Sequence, residues 1–378
     1  MVSFEKSGGV FVDSLTLELA LKKMIERIMD QEARRKRVSE ALARLREIGL
    51  NAMNGIAEKA IIKEVEMDPL FDVRVCGVDG GLLDQQLHGF DLILVRALAA
   101  IFHYRRAVLC GAEYLPSEMP PPKLIDVAEP LDFWEFQVLA GMERQLAEVE
   151  IAAQVAERGG VEAILLDGSI VPQYVERFPR SSLLLECYRN LIRAYIGLYQ
   201  NCAEGGILLA GAVKDSRGAR FVEILKKDFF GKFNLGKEDL LILDKTRDTA
   251  LLNHVLGVGE RTSAFTYAEK STNYVLSDLG GWGARIYGFY IRTVPFDRPL
   301  RAEFLSGAEN VAETADRVAS LIYALSSHHE GFGLPSVIVE ADACARLAEE
   351  DLSLVRDSIS ARLEPALFPD LRRERRPF

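Results

Sequence analysis

Long apolar runs are missing from this chain. No stretch of eighteen consecutive apolar residues occurs, so no membrane-spanning helix is expected. The opening MVSFEKSGGVFVDS has no basic segment followed by an apolar one, which argues against a secretory leader and for a cytoplasmic location. Cysteine is scarce: Cys76, Cys110, Cys187, Cys202 and Cys344 are odd in number and widely spaced, and none forms a CxxC pair. That argues against a zinc site or a disulfide framework and for reduced thiols, mostly in apolar surroundings. No GxxxxGK[ST] is present, so a P-loop nucleotide site is excluded. Positive charge is not in excess either. The net charge of -10 leaves no basic surface over the whole molecule, and any nucleic acid must be held by a local patch. Low-complexity segments and regular repeats are also lacking.

What is present is enough apolar residue for a large core, with 49% of 378 residues hydrophobic. Helix-like and strand-like stretches alternate, which points to a mixed α/β protein. Residues 13–66 carry apolar positions at three- and four-residue spacing (Leu17, Leu21, Met24, Ile25, Ile28, then Val38, Leu42, Leu45, Ile48) and read as helix, with RRKR at Arg34–Arg37 on its charged face. VRVCGVD and FDLILVRALAAIF read as a hairpin, with RRAVLCGAEYL beside it. A proline-rich link precedes a helix over 132–157. The strand VEAILLDGSI, the helix LLLECYRNLIRAYIGLYQNCAEGG and the strand ILLAGAVKDS then have the order of a parallel crossover. Later come a helix from about Asp248, the strands ARIYGFYIRTVPF and LRAEFLS, helices over 310–326 and 336–349, and a basic tail, LRRERRPF.

Two acids stand out. Asp79 ends the apolar run VCGVD and is followed by Gly80 and Gly81. Asp167 ends AILLD in the same way. A buried carboxylate without a partner is costly, so an acid at a strand end calls for a turn, a cation or a metal. The helix between them carries Glu143, Glu148 and Glu150. Aspartates and glutamates converging on one point are hard oxygen ligands suited to Mg²⁺ or Mn²⁺. Two such ions can activate water and stabilise the leaving oxygen in phosphodiester hydrolysis.

The ordered set GVDGG…LVRA (77–97), AILLDGSI (163–170), VKDSRG (213–218), GER (259–261), YGFYIR with LRAEF (287–304) and GLPSVIVEADACARL (333–347) resembles the NurA family of DNA-repair nucleases. The resemblance implies an RNase H-like fold: a mixed central sheet flanked by helices, here with a helical N-terminal extension. It also implies a homodimer, Mn²⁺-dependent (or Mg²⁺-dependent) 5′-to-3′ exonuclease activity on DNA with two ions, and a HerA-type hexameric helicase or translocase as partner in end resection and recombinational repair. By position it makes Asp79, Glu150, Asp167 and Asp342 the catalytic metal ligands, with Glu148 the nearest rival of Glu150. Two departures are evident. Asp342 stands where the family usually has histidine, and Gly81 where it commonly has serine. The division expected along the chain is a helical extension (1–70), a nuclease domain (71–355) and a C-terminal helix and tail (356–378).

Lys214, Arg217, Arg261 and Arg301 are the candidate DNA-binding cations, since guanidinium and ammonium groups suit phosphate. Glu260 and Glu303 stand close enough in sequence to pair with the arginines instead. Tyr287, Phe289 and Tyr290 could stack on bases, but core packing is the simpler expectation. His328 and His329, adjacent in sequence, point apart and lack a third ligand. Two other functions remain open. One is an actin-like or sugar-kinase phosphotransferase, which needs a second glycine-rich phosphate turn that is not evident. The other is a catalytically weakened dimeric adaptor of a DNA translocase.

Overall fold

The structure is a computed structural model and describes residues 14–43, 55–172, 183–228, 237–268 and 274–362. In chain order the elements begin with helix α1 (Ser14–Ala43), strands β1 (Ile62–Glu64), β2 (Val73–Gln86), β3 (Asp91–Arg105), β4 (Val108–Leu115) and β5 (Lys123–Val127), and helix α2 (Phe133–Arg158). Strand β6 (Ala163–Asp167), helix α3 (Leu183–Gly205), strand β7 (Leu208–Val213), and helices α4 (Arg220–Asp228), α5 (Lys237–Ile242) and α6 (Asp248–Leu252) follow. The remainder comprises strands β8 (Glu260–Thr262) and β9 (Phe265–Thr266), helix α7 (Tyr274–Asp278), strands β10 (Ile286–Arg292) and β11 (Leu300–Leu305), and helices α8 (Val311–Ser326), α9 (Ser336–Ala345) and α10 (Glu349–Ser360).

Two compact units form, and they cut across the expected domain boundaries. One combines Met1–Ile48 with Arg217–Val255; the other combines Gly49–Ser216 with Leu256–Phe378. In the first, α1 carries both faces of its periodic pattern. Val38 and Leu42 are buried, while Leu17, Leu21, Met24, Ile25 and Ile28 are exposed. RRKR lies within this helix, where Arg34 pairs with Asp30 and Arg35 donates to Thr246. Asp248, fully buried, accepts from the backbone N–H of Phe221 (3.0 Å) and Val222 (2.8 Å). It thus caps the start of α4 from a distant point in the sequence.

The helical expectation over 13–66 holds only as far as Ala43 among the described residues. Ile62–Glu64 is instead a strand, paired antiparallel with β8. Consecutive β-branched isoleucines favour that pleated, half-buried setting. The basic tail lies outside the described residues.

The larger unit is built on one sheet of order β1-β8-β10-β11-β7-β6-β2-β3-β4, with β5 pairing β3 and β9 pairing β10. β2, β3 and β4 are antiparallel neighbours, while β6 lies parallel to β2 and β7 parallel to β6. Three antiparallel strands followed by two parallel ones give the RNase H-like mixed sheet. Helices cover both faces. Cys76, Val78, Ile164 and Leu166 face α2 and α3 in one apolar core. Val75, Leu98, Leu165 and Phe289 face α8 and α9 in another. α2 starts where Asp132 accepts from the Glu135 N–H (2.8 Å) and Glu135 accepts from the Asp132 N–H (3.2 Å), a reciprocal cap that fixes the helix start.

Candidate metal centre

The last parallel pair of β2 and β6 is Val78 with Leu166, so the next residues, Asp79 and Asp167, come abreast where β6 ends. Side chains alternate along a strand. Asp79 therefore shares the face of Val75, Gly77 and Gly81, on which α9 packs and from which Asp342 arrives. One carboxylate oxygen each from Asp79, Asp167 and Asp342 falls within 4.8 Å of the others. The trio sits where the parallel pairing of β2 with β6 stops, with Asp167 at the carboxyl end of β6, Asp79 within the longer β2 and Asp342 on α9, a position where α/β sheets commonly place ligands.

Glycine makes this convergence possible. A Cβ at Gly77 would lie 2.4 Å from the Val337 carbonyl oxygen, and one at Gly81 would lie 2.1 Å from that of Ala345. α9 is thus laid against β2 more closely than any side chain on that face permits. On the other face, a Cβ at Gly80 would lie 2.7 Å from Glu148 Oε1, so the missing side chain makes room for that carboxylate. α9 is also tethered: Tyr114 donates to Glu340 (2.7 Å), and Arg96 Nη1 donates to the carbonyl of Arg346 at the helix end (2.8 Å).

The cluster is electrostatically strained. Burial, then the neighbouring carboxylates of Asp167 and Glu148, push Asp79 from its ordinary 3.8 up to about 8, against the lowering effect of its bond from the Gly80 N–H (2.8 Å). Burial also raises Asp167, although Lys214 Nζ stands 2.5 Å from it and opposes the change. Glu148 is pushed up to about 7 by burial, despite its 2.6 Å ion pair with Arg144. Burial disfavours the Lys214 ammonium, but its bonds to Asp167 and Asp342 (3.2 Å) outweigh that and raise its pKa. Crowded acids of this kind, all hard oxygen donors, are arranged as a divalent ion would require and are costly without a cation.

The structure brings together three of the four expected ligands. Glu150 is exposed on α2 and is not among the converging carboxylates, whereas Glu148 is buried, close enough to raise Asp79 and itself raised by Asp167. At 3.6 residues per turn, residues two apart point about 200° apart, so only one of the two can face the sheet. Of the candidate DNA-binding cations, Lys214 stands in the cluster itself. Arg217 is exposed and falls in the other compact unit. Arg261 is fully buried, forked onto Glu58 (2.7 and 2.8 Å) and paired with Asp316. Arg301 is buried against Glu303 (2.8 Å), with Phe265, Tyr267 and Tyr290 rings around its guanidinium. Both guanidinium groups are thus committed inside the fold, because a buried arginine needs its carboxylate. Tyr287, Phe289 and Tyr290 are core residues. His328 donates to the Leu325 carbonyl and His329 accepts from the Gly331 N–H, so neither belongs to a metal pair.

Sequence reasoning did not anticipate two contributors. Arg144 neutralises Glu148 from one turn away on α2, a spacing that the charge pattern does contain. Ser169, two residues past Asp167, donates to Glu303 (2.5 Å) and ties the Asp167 turn to the buried Arg301–Glu303 pair. Arg301 and Glu303, two apart on one strand, carry the signal for that pair. Nothing local pointed to Ser169.

The family model for the NurA domain matches residues 73–347. Among solved structures, the fold is similar to that of the NurA nuclease from Sulfolobus solfataricus, at 13% identity, covering 94% of this chain and 99% of that one with a TM-score of 0.56. It is also similar to a structure of NurA with manganese, at 12% identity, covering 92% and 99% with a TM-score of 0.50. At these identities the likeness is one of fold. A comparison with curated proteins finds no match.

Proposed function

The chain belongs to the NurA domain family, and from that premise we propose that it is a divalent-metal-dependent DNA nuclease whose centre is Asp79, Asp167 and Asp342, with Glu148 beside them. The observation that carries this reading is the convergence of the three aspartates, from β2, β6 and α9, within 4.8 Å of one another. Manganese in a NurA structure of the same fold supports Mn²⁺ as the ion, with Mg²⁺ the chemical alternative.

The three aspartates would hold the ion or ions, which when bound supply a nucleophilic water at neutral pH and stabilise charge on the phosphoryl oxygens. Asp79 is held by the Gly80 N–H, and Asp342 by the tethered helix α9, so the ligands are fixed before substrate arrives. Glu148, with its Oε1 on Arg144 and its pKa near neutrality, is suited to take up a proton from the attacking water through its other oxygen. Lys214 offers its ammonium to a phosphate at the same strand ends. Glu148 replaces Glu150 in this reading, and Arg261 and Arg301 serve the fold.

The finer assignments rest on the family resemblance: 5′-to-3′ exonuclease action with two ions, a homodimer, and end resection in the cytoplasm alongside a HerA-type hexameric translocase. No described helix is long and apolar enough to cross a membrane. The test is an assay on 5′- and 3′-end-labelled single- and double-stranded DNA with Mn²⁺, Mg²⁺ or chelator. Cleavage should require the metal, release 5′-label first, and disappear in Asp167→Asn. Metal-independent cleavage, or full activity in Asp167→Asn, would overturn the reading. An adaptor would bind DNA and cleave none.

A further inference from the structure

Among the described residues, the cation in closest contact with the aspartate cluster is the ammonium of Lys214. Its Nζ lies 2.5 Å from Asp167 Oδ2 and 3.2 Å from Asp342 Oδ1. Two of the three carboxylates that face one another are therefore already bridged by a positive charge, and they arrive from different elements, β6 and α9. Lys214 follows β7, the parallel neighbour of β6, so the strand order itself delivers it there.

We propose that Lys214 is an internal competitor of the divalent ion: its ammonium holds Asp167 and Asp342 together, and the ion must displace it from both before the centre is loaded. The proposal rests on the reading of the three aspartates as a metal centre. Three features of the site support it. An ammonium and a dication attached to the same two carboxylates repel each other, so the two occupancies exclude one another. The lysine stem is flexible and its side chain is one-third exposed, so the group has a route out of the cluster, which a buried, forked arginine would lack. Once displaced, the ammonium remains anchored at the end of β7 without an anion, and a DNA phosphate at the same strand ends supplies one. Metal and substrate should then bind cooperatively, each removing a cost that the other would meet alone.

The experiment is a calorimetric titration of the full-length protein with Mn²⁺ in the absence of DNA, using wild type, Lys214→Met and Lys214→Gln. Gln retains hydrogen-bonding capacity between the two aspartates and serves if the Met variant misfolds. An opposite charge at this range moves a carboxylate equilibrium by one to three decades, so removing the ammonium should tighten the Mn²⁺ Kd by about tenfold or more. At saturating Mn²⁺ both variants should cleave DNA more slowly than wild type, so affinity and turnover move in opposite directions. An unchanged or weaker Kd in the folded variants overturns the competition, because it would mean that the ammonium supports the ligand set. A wild type that binds Mn²⁺ and cleaves DNA while the variants keep its Kd refutes only the role of Lys214. A wild type that neither binds Mn²⁺ nor cleaves refutes the metal centre itself.

Discussion

Asp79→Asn should make the metal-free protein more stable, and by an amount that depends on pH. In the folded chain Asp79 titrates at about 8 instead of 3.8, because it is buried beside Asp167 and Glu148. A folded value above the unfolded one means that the penalty is absent below about pH 4, grows as pH rises, and levels off above about pH 8. At pH 7 the unfolded chain has released this proton and the folded chain still holds it. At about 1.4 kcal/mol per pH unit that difference costs the folded state on the order of 4 kcal/mol, and less than half as much at pH 5. Asparagine mimics the protonated acid. Its Oδ1 can accept from the Gly80 N–H as Asp79 does at 2.8 Å, and its amide can donate to Asp167. The variant should therefore recover most of the penalty at pH 7 and less than half as much at pH 5. Urea unfolding of wild type and variant in chelator at both pH values measures the gap directly. Repeating it with Mn²⁺ adds the functional half: the ion should raise the midpoint of wild type and leave the variant unmoved. Equal stabilities at pH 7, or a gap that narrows as pH rises, would refute the electrostatic account of this cluster. Stability given up at a site of ionic function is the expected trade-off.

Three further outcomes follow from the same geometry. Glu148→Gln should lower DNA cleavage by about a hundredfold or more, while Glu150→Gln stays near wild type in the same assay. The reverse ranking would restore Glu150. Gly81→Ser, which introduces the residue that the family resemblance implies there, should destabilise the protein by about 1–3 kcal/mol, because the new Cβ meets the Ala345 carbonyl oxygen; Gly81→Ala should cost as much, and an undiminished melting temperature in either would contradict the packing argument. Arg261→Met should cost about 3 kcal/mol in urea unfolding by removing the forked partner of buried Glu58, which keeps only Lys63 (3.0 Å) and the Ala264 N–H (2.6 Å), yet leave DNA affinity unchanged below its melting temperature. A loss of DNA binding with normal stability would return Arg261 to the substrate.

The parts of this architecture legible in the sequence were those carried by composition and period. VCGVDGG and AILLDGSI announce buried strands carrying acids; AILLD does end at Asp167, but β2 runs on past Asp79 through both glycines to Gln86, because β3 pairs with it along that whole length. The strand–helix–strand order from 161 to 216 predicts the parallel pairing of β6 with β7, but not the parallel pairing of β2 with β6 that brings Asp79 and Asp167 abreast. What could not be read was angular and long-range. The choice between Glu148 and Glu150 depends on how α2 is rotated against the sheet, and acids at both positions fit an amphipathic pattern. The strand at Ile62–Glu64 is too short to interrupt a helical periodicity on its own and is fixed by pairing with β8, about two hundred residues later. The arginines of GER and LRAEF carry the charge that phosphate wants, but partners on distant elements take them into the core: Glu58 and Asp316 for Arg261, and a ring of aromatics for Arg301.

The two departures that the family resemblance implies, aspartate in place of histidine at 342 and glycine in place of serine at 81, would share a physical basis. An aspartate carboxylate reaches less far from its backbone than an imidazole ring. A helix that offers aspartate must therefore sit closer to the strand that carries its fellow ligands. Gly81 permits that approach, since the Ala345 carbonyl oxygen occupies the space of its missing Cβ, and Gly77 does the same about two turns earlier on α9 at Val337. The exchange also alters charge. Aspartate adds a third negative group to the cluster where a neutral imidazole would add none, and Lys214 contacts that group at 3.2 Å. Each change is unfavourable alone: glycine without the close helix leaves a gap on the sheet, and aspartate on a more distant helix falls short of the trio. Together with Lys214 they form one consistent ligand set, and that consistency favours an altered working centre over a decayed one.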